Sequence, residues 1–304
     1  MQQQQQKTLL HDDQEFAIHH GDCIEHMATM PSASVDCAVF SPPFPALYAY
    51  TSRAEDIGNS EDLGGEAKLH LGWFYRGLAR VLKPGRVAVV HVMQIPRMKR
   101  TGGEGVYDFR GLNIRLGERS GLIFDNDWTV RKNPQSQAIR TKSRELQFAG
   151  LESDRSRSRG ALADYLLKFR APGRNEVPIN SPGQVSRNDW IEWAEACWHG
   201  IRETDTLNTA SAKGENDTKH ICPLQLGVID RLVRLYSNPG EIVFSPFAGI
   251  GSEGYVALKL GRRFYGCEIK DEYHAAAIAN CKRAVYERSE SQKGLFDLSG
   301  LRMM

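Results

Sequence analysis

The chain is predicted to fold as an α/β protein, and three observations carry that expectation. Short apolar strands alternate with helical stretches toward both ends of the chain, the pattern of a parallel sheet covered by helices. A glycine-rich turn, Phe247-Ala248-Gly249-Ile250-Gly251-Ser252, follows one strand and opens a helix. A stiff Ser41-Pro42-Pro43-Phe44 step closes another strand far earlier in the chain.

In chain order, Phe16 to His20 reads as a strand ending in Gly21-Asp22, followed by a helix from Cys23 to Met30 and the strand Val35 to Phe40. A helix from Leu69 to Leu82 stops at Lys83-Pro84-Gly85 and leads into the β-branched strand Val87 to Val92. From Gln94 to Gly214 the regularity fades. Only a strand, Tyr165 to Arg170, and a Trp-rich helix, Asp189 to Ile201, punctuate that stretch. Order returns with a helix from Leu224 to Tyr236 that stops at Asn238-Pro239-Gly240. A strand (Ile242 to Phe244), the glycine turn, a helix (Ser252 to Leu260), a strand (Phe264 to Glu268) and a helix (Tyr273 to Tyr286) complete it. There is no internal repeat.

The bulk composition narrows the class. The chain has 304 residues, 41% hydrophobic and 25% charged, as expected of a globular protein with a sizeable core. A net charge of +2 does not by itself call for a polyanionic partner, so the distribution of charge matters more than its sum. The apolar runs are far shorter than a membrane span. Met1 and the glutamines that follow lack the pattern of a secretory signal and read as a disordered tail. Six cysteines without a C-x-x-C pair argue against a zinc site and a disulfide framework, and point to reduced thiols in the cytoplasm.

Gly249-x-Gly251-x-x-Gly254 has the context that gives a glycine pattern meaning, because a strand precedes it and Glu268 ends the next strand. Glycines let the backbone approach a nucleoside ligand, and a carboxylate at Glu268 accepts both ribose hydroxyl protons. These residues suit a nicotinamide dehydrogenase nearly as well as a methyltransferase. Position separates the two. A dinucleotide fold needs further βα units after its fingerprint, and too little chain follows Glu268 to supply them. Earlier strands must therefore complete the sheet, which makes the arrangement circularly permuted.

Pro42-Pro43 joins neither helix nor sheet ladder, so it stiffens the carboxyl end of its strand, the edge at which α/β proteins bind ligands. There the Ser41 hydroxyl, the Pro42 carbonyl and the Phe44 ring form one unit. Its oxygens accept hydrogen bonds from an exocyclic amino group while the ring stacks on the base. An aromatic amine is a poor nucleophile, and hydrogen bonding its protons together with close positioning makes it a better one.

With these motifs in this order, the chain resembles the permuted, beta-group DNA methyltransferases that act on cytosine N4 or adenine N6. Ser41-Pro42-Pro43-Phe44 is similar to the catalytic motif, Ser245-Pro246-Phe247-Ala248-Gly249-Ile250-Gly251 to the cofactor motif, and Gly21-Asp22 and Glu268-Ile269 to the flanking strand ends. The segment Lys219-His220-Ile221-Cys222-Pro223-Leu224 looks like the family's entry to its first cofactor-side helix. The resemblance implies a Rossmann-like, S-adenosylmethionine-dependent methyltransferase fold with an inserted irregular target-recognition region. On that basis the chain divides into a disordered tail (1–15), a catalytic half (16–95), a target-recognition region (96–215), a cofactor half (216–286) and a C-terminal tail (287–304).

The resemblance further implies catalytic roles for Ser41, Pro42, Pro43 and Phe44 on a base flipped out of double-stranded DNA. It implies donor contacts from Asp22, Lys219, His220, Phe247, Ala248, Gly249, Gly251, Ser252, Glu268 and Ile269. Arg131, Lys132, Arg140, Lys142 and Arg144 in the basic middle are candidates for phosphate contacts, against the plainer reading of a solvated loop. No metal or membrane is implied, and a homodimer stays open. The family motif usually begins with Asp where Ser245 stands, which removes a negative charge near the sulfonium. Ser in the first catalytic position is commoner among N4-cytosine enzymes, so N4 of cytosine is favoured and N6 of adenine is the alternative. C5-methylation needs a cysteine nucleophile, typically on a Pro-Cys step; Cys222 instead precedes its proline. A non-catalytic DNA-binding relative and a NAD-dependent oxidoreductase remain the competing classes. No nuclease motif is visible, so the chain would be at most the modification half of a restriction-modification pair.

Two residue groups have plain structural readings. His19, His20 and His91 lie at strand ends without metal-ligand spacing. Trp190, Trp193 and Trp198 have near-helical spacing that suits packing, and Trp128, ahead of Arg131-Lys132, is a weak candidate for a DNA contact.

Overall fold

A computed structural model describes residues 9–45, 51, 53–60, 65–97, 105–135, 137, 148–209 and 223–300. The N-terminal part contributes β1 (Phe16–His20), α1 (Cys23–Thr29), β2 (Val35–Phe40), α2 (Glu66–Val81) and β3 (Leu82–Met93). The middle contributes β4 (Ile95–Pro96), β5 (Val106–Tyr107), α3 (Phe109–Arg119), β6 (Ile123–Val130), α4 (Phe148–Glu152), β7 (Asp164–Arg170), α5 (Arg187–Trp193) and β8 (Cys197–Trp198). The C-terminal part contributes α6 (Leu226–Tyr236), β9 (Ile242–Ser245), α7 (Ser252–Lys259), β10 (Arg263–Glu268) and α8 (Asp271–Gly300).

Eight strands form one sheet in the order β1-β10-β9-β2-β3-β7-β6-β8. The five strands from β1 to β3 are mutually parallel, and β7 then runs antiparallel to β3 and to β6. The C-terminal strands β10 and β9 insert between β1 and β2. That insertion is the permutation expected from the position of the glycine motif, and it sets β9 directly beside β2, with Ala38 opposite Phe244.

Both faces of the sheet are covered, so β2 is buried at every position. Its side chains alternate between the two sides. Ala38 and Phe40 join a core with Met27, Leu71, Phe74 and Leu78 of α1 and α2. Cys37 and Val39 join a second core with Val228, Ile229, Leu232 and Val233 of α6 and Ala257 of α7. At the amino end of these strands the buried Asp36 carboxylate ties three of them together. It accepts from Lys83 Nζ (2.6 Å) and Arg86 Nη2 (3.2 Å) of β3, and from the Ile242 amide of β9 (3.0 Å). Arg86 also pairs with Glu241.

Several expectations need correcting. The helix expected at Leu69–Leu82 spans Glu66–Val81, and β3 begins at Leu82 because that residue already pairs with Val35. A register shift follows, which absorbs Lys83-Pro84-Gly85 before Cys37 meets Val87. The Trp-rich helix stops at Trp193, and Trp198 lies on β8 instead. Trp193 and Trp198 are buried, whereas Trp190 is exposed.

The region 96–215 is less irregular than expected, since β6 and β7 belong to the main sheet. Its polar run Asp125-Asn126-Asp127 sits within a strand because its charges are met. Asp125 pairs with Lys168 (3.2 Å) and Arg170 (3.5 Å) of the neighbouring β7, and Asp127 with Arg110 of α3 (2.7 Å). At the C-terminus a loose tail was expected after Tyr286, yet α8 runs on to Gly300. Its added turns are anchored. Glu287 accepts from Tyr255 Oη (2.6 Å) and Lys259 Nζ (2.9 Å), and Arg288 donates to the Leu258 carbonyl (2.8 Å) and pairs with Glu15. Cys23, Cys37, Cys197, Cys267 and Cys281 are free thiols. Among the described residues no helix is long and apolar enough to cross a membrane.

Candidate active site

Because β2 and β9 are parallel neighbours, Ser41-Pro42-Pro43-Phe44 and the glycine turn emerge side by side from one edge of the sheet. Phe247 seals the join. Its ring packs against Phe40 (centroids 6.0 Å apart) and Phe74 (5.0 Å). Pro42 is buried, while Ser41, Pro43 and Phe44 are half-buried at the rim. The Phe44 ring rests on Phe109 with centroids 5.5 Å apart.

The glycine turn is built on left-handed backbone. Gly249 has φ +54° and Gly251 φ +83°, conformations that only glycine adopts freely. A Cβ on Gly251 would also meet Ala277 Cα at 2.9 Å, so this glycine lets α7 and α8 pack closely. Among the described residues nothing lies within 4 Å of the Cβ position at Gly249. The Ala248 amide donates to the Cys267 carbonyl (2.8 Å), and Ala248 itself is buried.

Glu268 holds the turn to β10. Its Oε2 accepts from the Gly249 amide (2.8 Å) and its Oε1 from the Lys270 amide (2.9 Å), with the half-buried Ile269 between them in sequence. Burial pushes this carboxyl up to about 7 against the opposing pull of the Lys270, Gly249 and Ile269 amides. The Gly21 amide donates to the Glu268 carbonyl (2.9 Å), which brings Gly21-Asp22 to the same edge. Asp22 caps α1 through the amides of Ile24 and Glu25, both at 3.1 Å. The hydroxyls of Ser245 and Ser252, at either end of the turn, are buried without a hydrogen-bond partner among the described residues.

Three groups at this edge had no site role in the sequence reading. Glu253, in the first turn of α7, is pushed up to about 8 by burial, with Glu268 adding to the effect. The other two are His91 and Asp164. Ser41 Oγ lies 3.1 Å from the His91 carbonyl and 3.2 Å from His91 Nδ1. On the far side of the ring, Nε2 is 2.9 Å from Asp164 Oδ2, though off the axis of a well-formed hydrogen bond. Burial would raise the Asp164 carboxyl, but His91 and Lys132 outweigh it and hold the group at about 2. His91, read from the sequence as structural, thus touches the serine of the candidate motif.

The candidate DNA contacts divide. Arg131 is exposed. Lys132 is not a surface cation. Its side chain is 5% exposed and its Nζ lies 2.7 Å from Asp164 Oδ2. Strand parity would have revealed this, since Lys132 continues the buried face of Trp128 and Val130 whereas Arg131 lies on the other. Trp128 is likewise core, packed on Trp198 at 5.5 Å. Arg140, Lys142, Arg144, Lys219 and His220 fall outside the described residues.

The family model for N6/N4 DNA methylases matches residues 35–279, spanning both motifs. The chain belongs to this DNA methylase family. Among its relatives, the DNA adenine methyltransferase YhdJ of Escherichia coli is 48% identical over 271 residues, covering 84% of this chain and 79% of YhdJ. The type II methyltransferase M.BamHI of Bacillus amyloliquefaciens is 24% identical over 83% of this chain, which spans only 54% of that relative's length. The type II methyltransferase M1.MboII of Moraxella bovis is matched over 28% of its length. The cytosine-N4-specific PvuII DNA methyltransferase shares the fold with a TM-score of 0.62 at 21% identity, over 88% of this chain and 86% of that one. A DNA modification methylase of Thermus thermophilus, complexed with S-adenosyl-L-methionine, does so with a TM-score of 0.62 at 23% identity, over 88% and 95%. The Rossmann-like methyltransferase fold expected from the motifs is thus the fold of this chain.

Proposed function

We propose that this N6/N4 methylase transfers a methyl group from S-adenosylmethionine to the exocyclic amino group of a base flipped out of double-stranded DNA, with N4 of cytosine as the target. The observation that carries this reading is the adjacency of β2 and β9, which sets Ser41-Pro42-Pro43-Phe44 beside the glycine turn at one sheet edge. The residues at the edge suit the donor. Among the described residues, two buried hydroxyls, Ser245 and Ser252, stand without partners at the turn and nothing meets a Cβ on Gly249, while Glu268 keeps lone pairs for ribose hydroxyls. Asp22, Phe247, Ala248, Gly251 and Ile269 would complete the donor cleft, together with Lys219 and His220. The donor supplies an electrophilic methyl group. The chain's own part is to hold the amino group at Ser41 and Pro42, stack the base on Phe44 and keep water away.

Ser41 favours cytosine, and the identity to an enzyme named a DNA adenine methyltransferase favours N6 of adenine as the second reading. Nucleoside mass spectrometry after incubation with S-adenosylmethionine and unmethylated DNA decides between them. N4-methylcytosine is the expected product; N6-methyladenine would reverse the base, and no methylated nucleoside would reject the enzyme reading. We assign target recognition to the parts of residues 96–215 outside β6 and β7, with Arg131 among the phosphate contacts. A cytoplasmic location and the modification role in a restriction-modification pair belong to the same proposal.

Phe44→Ala is expected to slow methyl transfer by roughly 5- to 150-fold, the equivalent of about 1–3 kcal/mol of base stacking. Donor affinity, measured by calorimetry, should stay within about twofold, since the ring packs on Phe109 rather than the glycine turn. Unchanged transfer in that variant would remove the stacking role.

Donor affinity should also depend on pH. The ionised Glu268 accepts ribose hydroxyls better than the acid, and its carboxyl titrates at about 7 in the free protein. As pH falls below that value a proton must be displaced, so affinity should drop roughly tenfold per unit and level off above it. Calorimetry between pH 5.5 and 8.5 should show this slope in the wild type and none in Glu268→Gln.

A further inference from the structure

We propose that His91 and Asp164 form a proton relay behind Ser41, carrying away the proton that the target amino group loses on methylation. The proposal rests on the reading that Ser41 holds that amino group. Four consecutive strands of the sheet each bring one member to the line. Ser41 follows β2, His91 lies on β3, Asp164 opens β7 and Lys132 follows β6. The contacts run from Ser41 Oγ to His91 Nδ1 (3.2 Å), from His91 Nε2 to Asp164 Oδ2 (2.9 Å) and from that oxygen to Lys132 Nζ (2.7 Å). The side chains of Asp164 and Lys132 are only 3% and 5% exposed, and that of His91 13%.

The placement fixes the chemistry. The charge of the Asp164 carboxylate, 2.9 Å from Nε2 though off the axis of a well-formed hydrogen bond, favours the ring proton on that nitrogen, which leaves the Nδ1 lone pair facing the Ser41 hydroxyl. The hydroxyl proton also has the His91 carbonyl in reach at 3.1 Å, but a carbonyl does not take up a proton at neutral pH, whereas an imidazole does. When the amino nitrogen forms its bond to the methyl carbon, the donor's S–C bond breaks and its electron pair stays on a neutral thioether. The nitrogen is left cationic. Its proton passes to Ser41 Oγ as the hydroxyl's own proton passes to Nδ1, and the positive charge comes to rest on an imidazolium beside Asp164. Lys132 anchors Asp164 and balances its charge while the site waits. His91 never touches the base. It is a positioning and relay residue that acts through Ser41, and it returns the proton to solvent after product release.

The test is single-turnover methyl transfer by the full chain with labelled S-adenosylmethionine and DNA. His91→Ala should transfer at least about 100-fold more slowly, the usual scale of general acid–base help, with donor and DNA affinities within about threefold of wild type. Added imidazole should restore much of the rate, while 1,2,4-triazole, of the same size but far less basic, should not. Equal rescue by both would mean that the ring only fills space, and a rate within about threefold of wild type would remove the relay. If His91→Ala does not fold, His91→Gln carries the same test, because glutamine keeps the bulk and cannot take the proton. The two readings fail separately. A wild type without product rejects the proposed function, whereas an active wild type matched by His91→Gln rejects the relay alone.

Discussion

Glu268→Ala is expected to weaken S-adenosylmethionine binding by about two to four orders of magnitude. Two ribose hydroxyls on a carboxylate are worth about 1.5–3 kcal/mol each, or about 3–6 kcal/mol together. The same substitution strands the Gly249 and Lys270 amides that now donate to Glu268, so the glycine turn loses its tie to β10 as well. Glu268→Gln separates the two effects, because an amide oxygen still accepts one of those bonds but brings no charge. Its affinity should fall between the other two proteins. Calorimetry with the donor alone measures all three, and wild-type affinity in Glu268→Ala would remove the ribose assignment.

The second large effect lies at the opposite edge of the sheet. Asp36→Ala should destabilise the fold by about 3 kcal/mol, the low end of the cost of breaking a buried ion pair, since Arg86 retains Glu241 and Lys83 reaches solvent. Asp36 is where Lys83, Arg86 and the Ile242 amide converge. Without it, the nearly inaccessible Arg86 guanidinium keeps only Glu241 among the described residues. Because these groups sit at the amino ends of β2, β3 and β9, the loss should appear in the urea midpoint and not in donor affinity at low temperature. Asp36→Asn, which keeps an acceptor for the Ile242 amide, should lose less. A midpoint unchanged in Asp36→Ala would show that the Lys83 and Arg86 pairs contribute little.

Much of this architecture was legible in the chain because it rests on local signals. Pro42-Pro43 must stiffen a strand end whatever surrounds it, and Gly249 and Gly251 mark left-handed backbone between a strand and a helix. The order of those motifs forced the permuted topology, since the glycine strand had to borrow neighbours from upstream. By contrast, β6 was obscured by Asp125-Asn126-Asp127, a run that suits a turn until Lys168, Arg170 and Arg110 are placed beside it. Tail residues such as Glu287 and Arg288 appear loose until Tyr255, Lys259 and Glu15 are set against them. The phosphate contact expected of Lys132 met the same limit, as the partner that holds its charge, Asp164, lies on another strand.

The sequence by itself determined the fold class, the permutation, the family and the two motifs that meet at the sheet edge. Each is written in short-range spacing, where backbone sterics and apolar periodicity act. Only the tertiary structure decided that His91 and Asp164 stand behind Ser41 and that Lys132 belongs to them. Those side chains meet through the pairing of β2, β3, β7 and β6, and cross-strand register leaves no trace in the local sequence of any one strand.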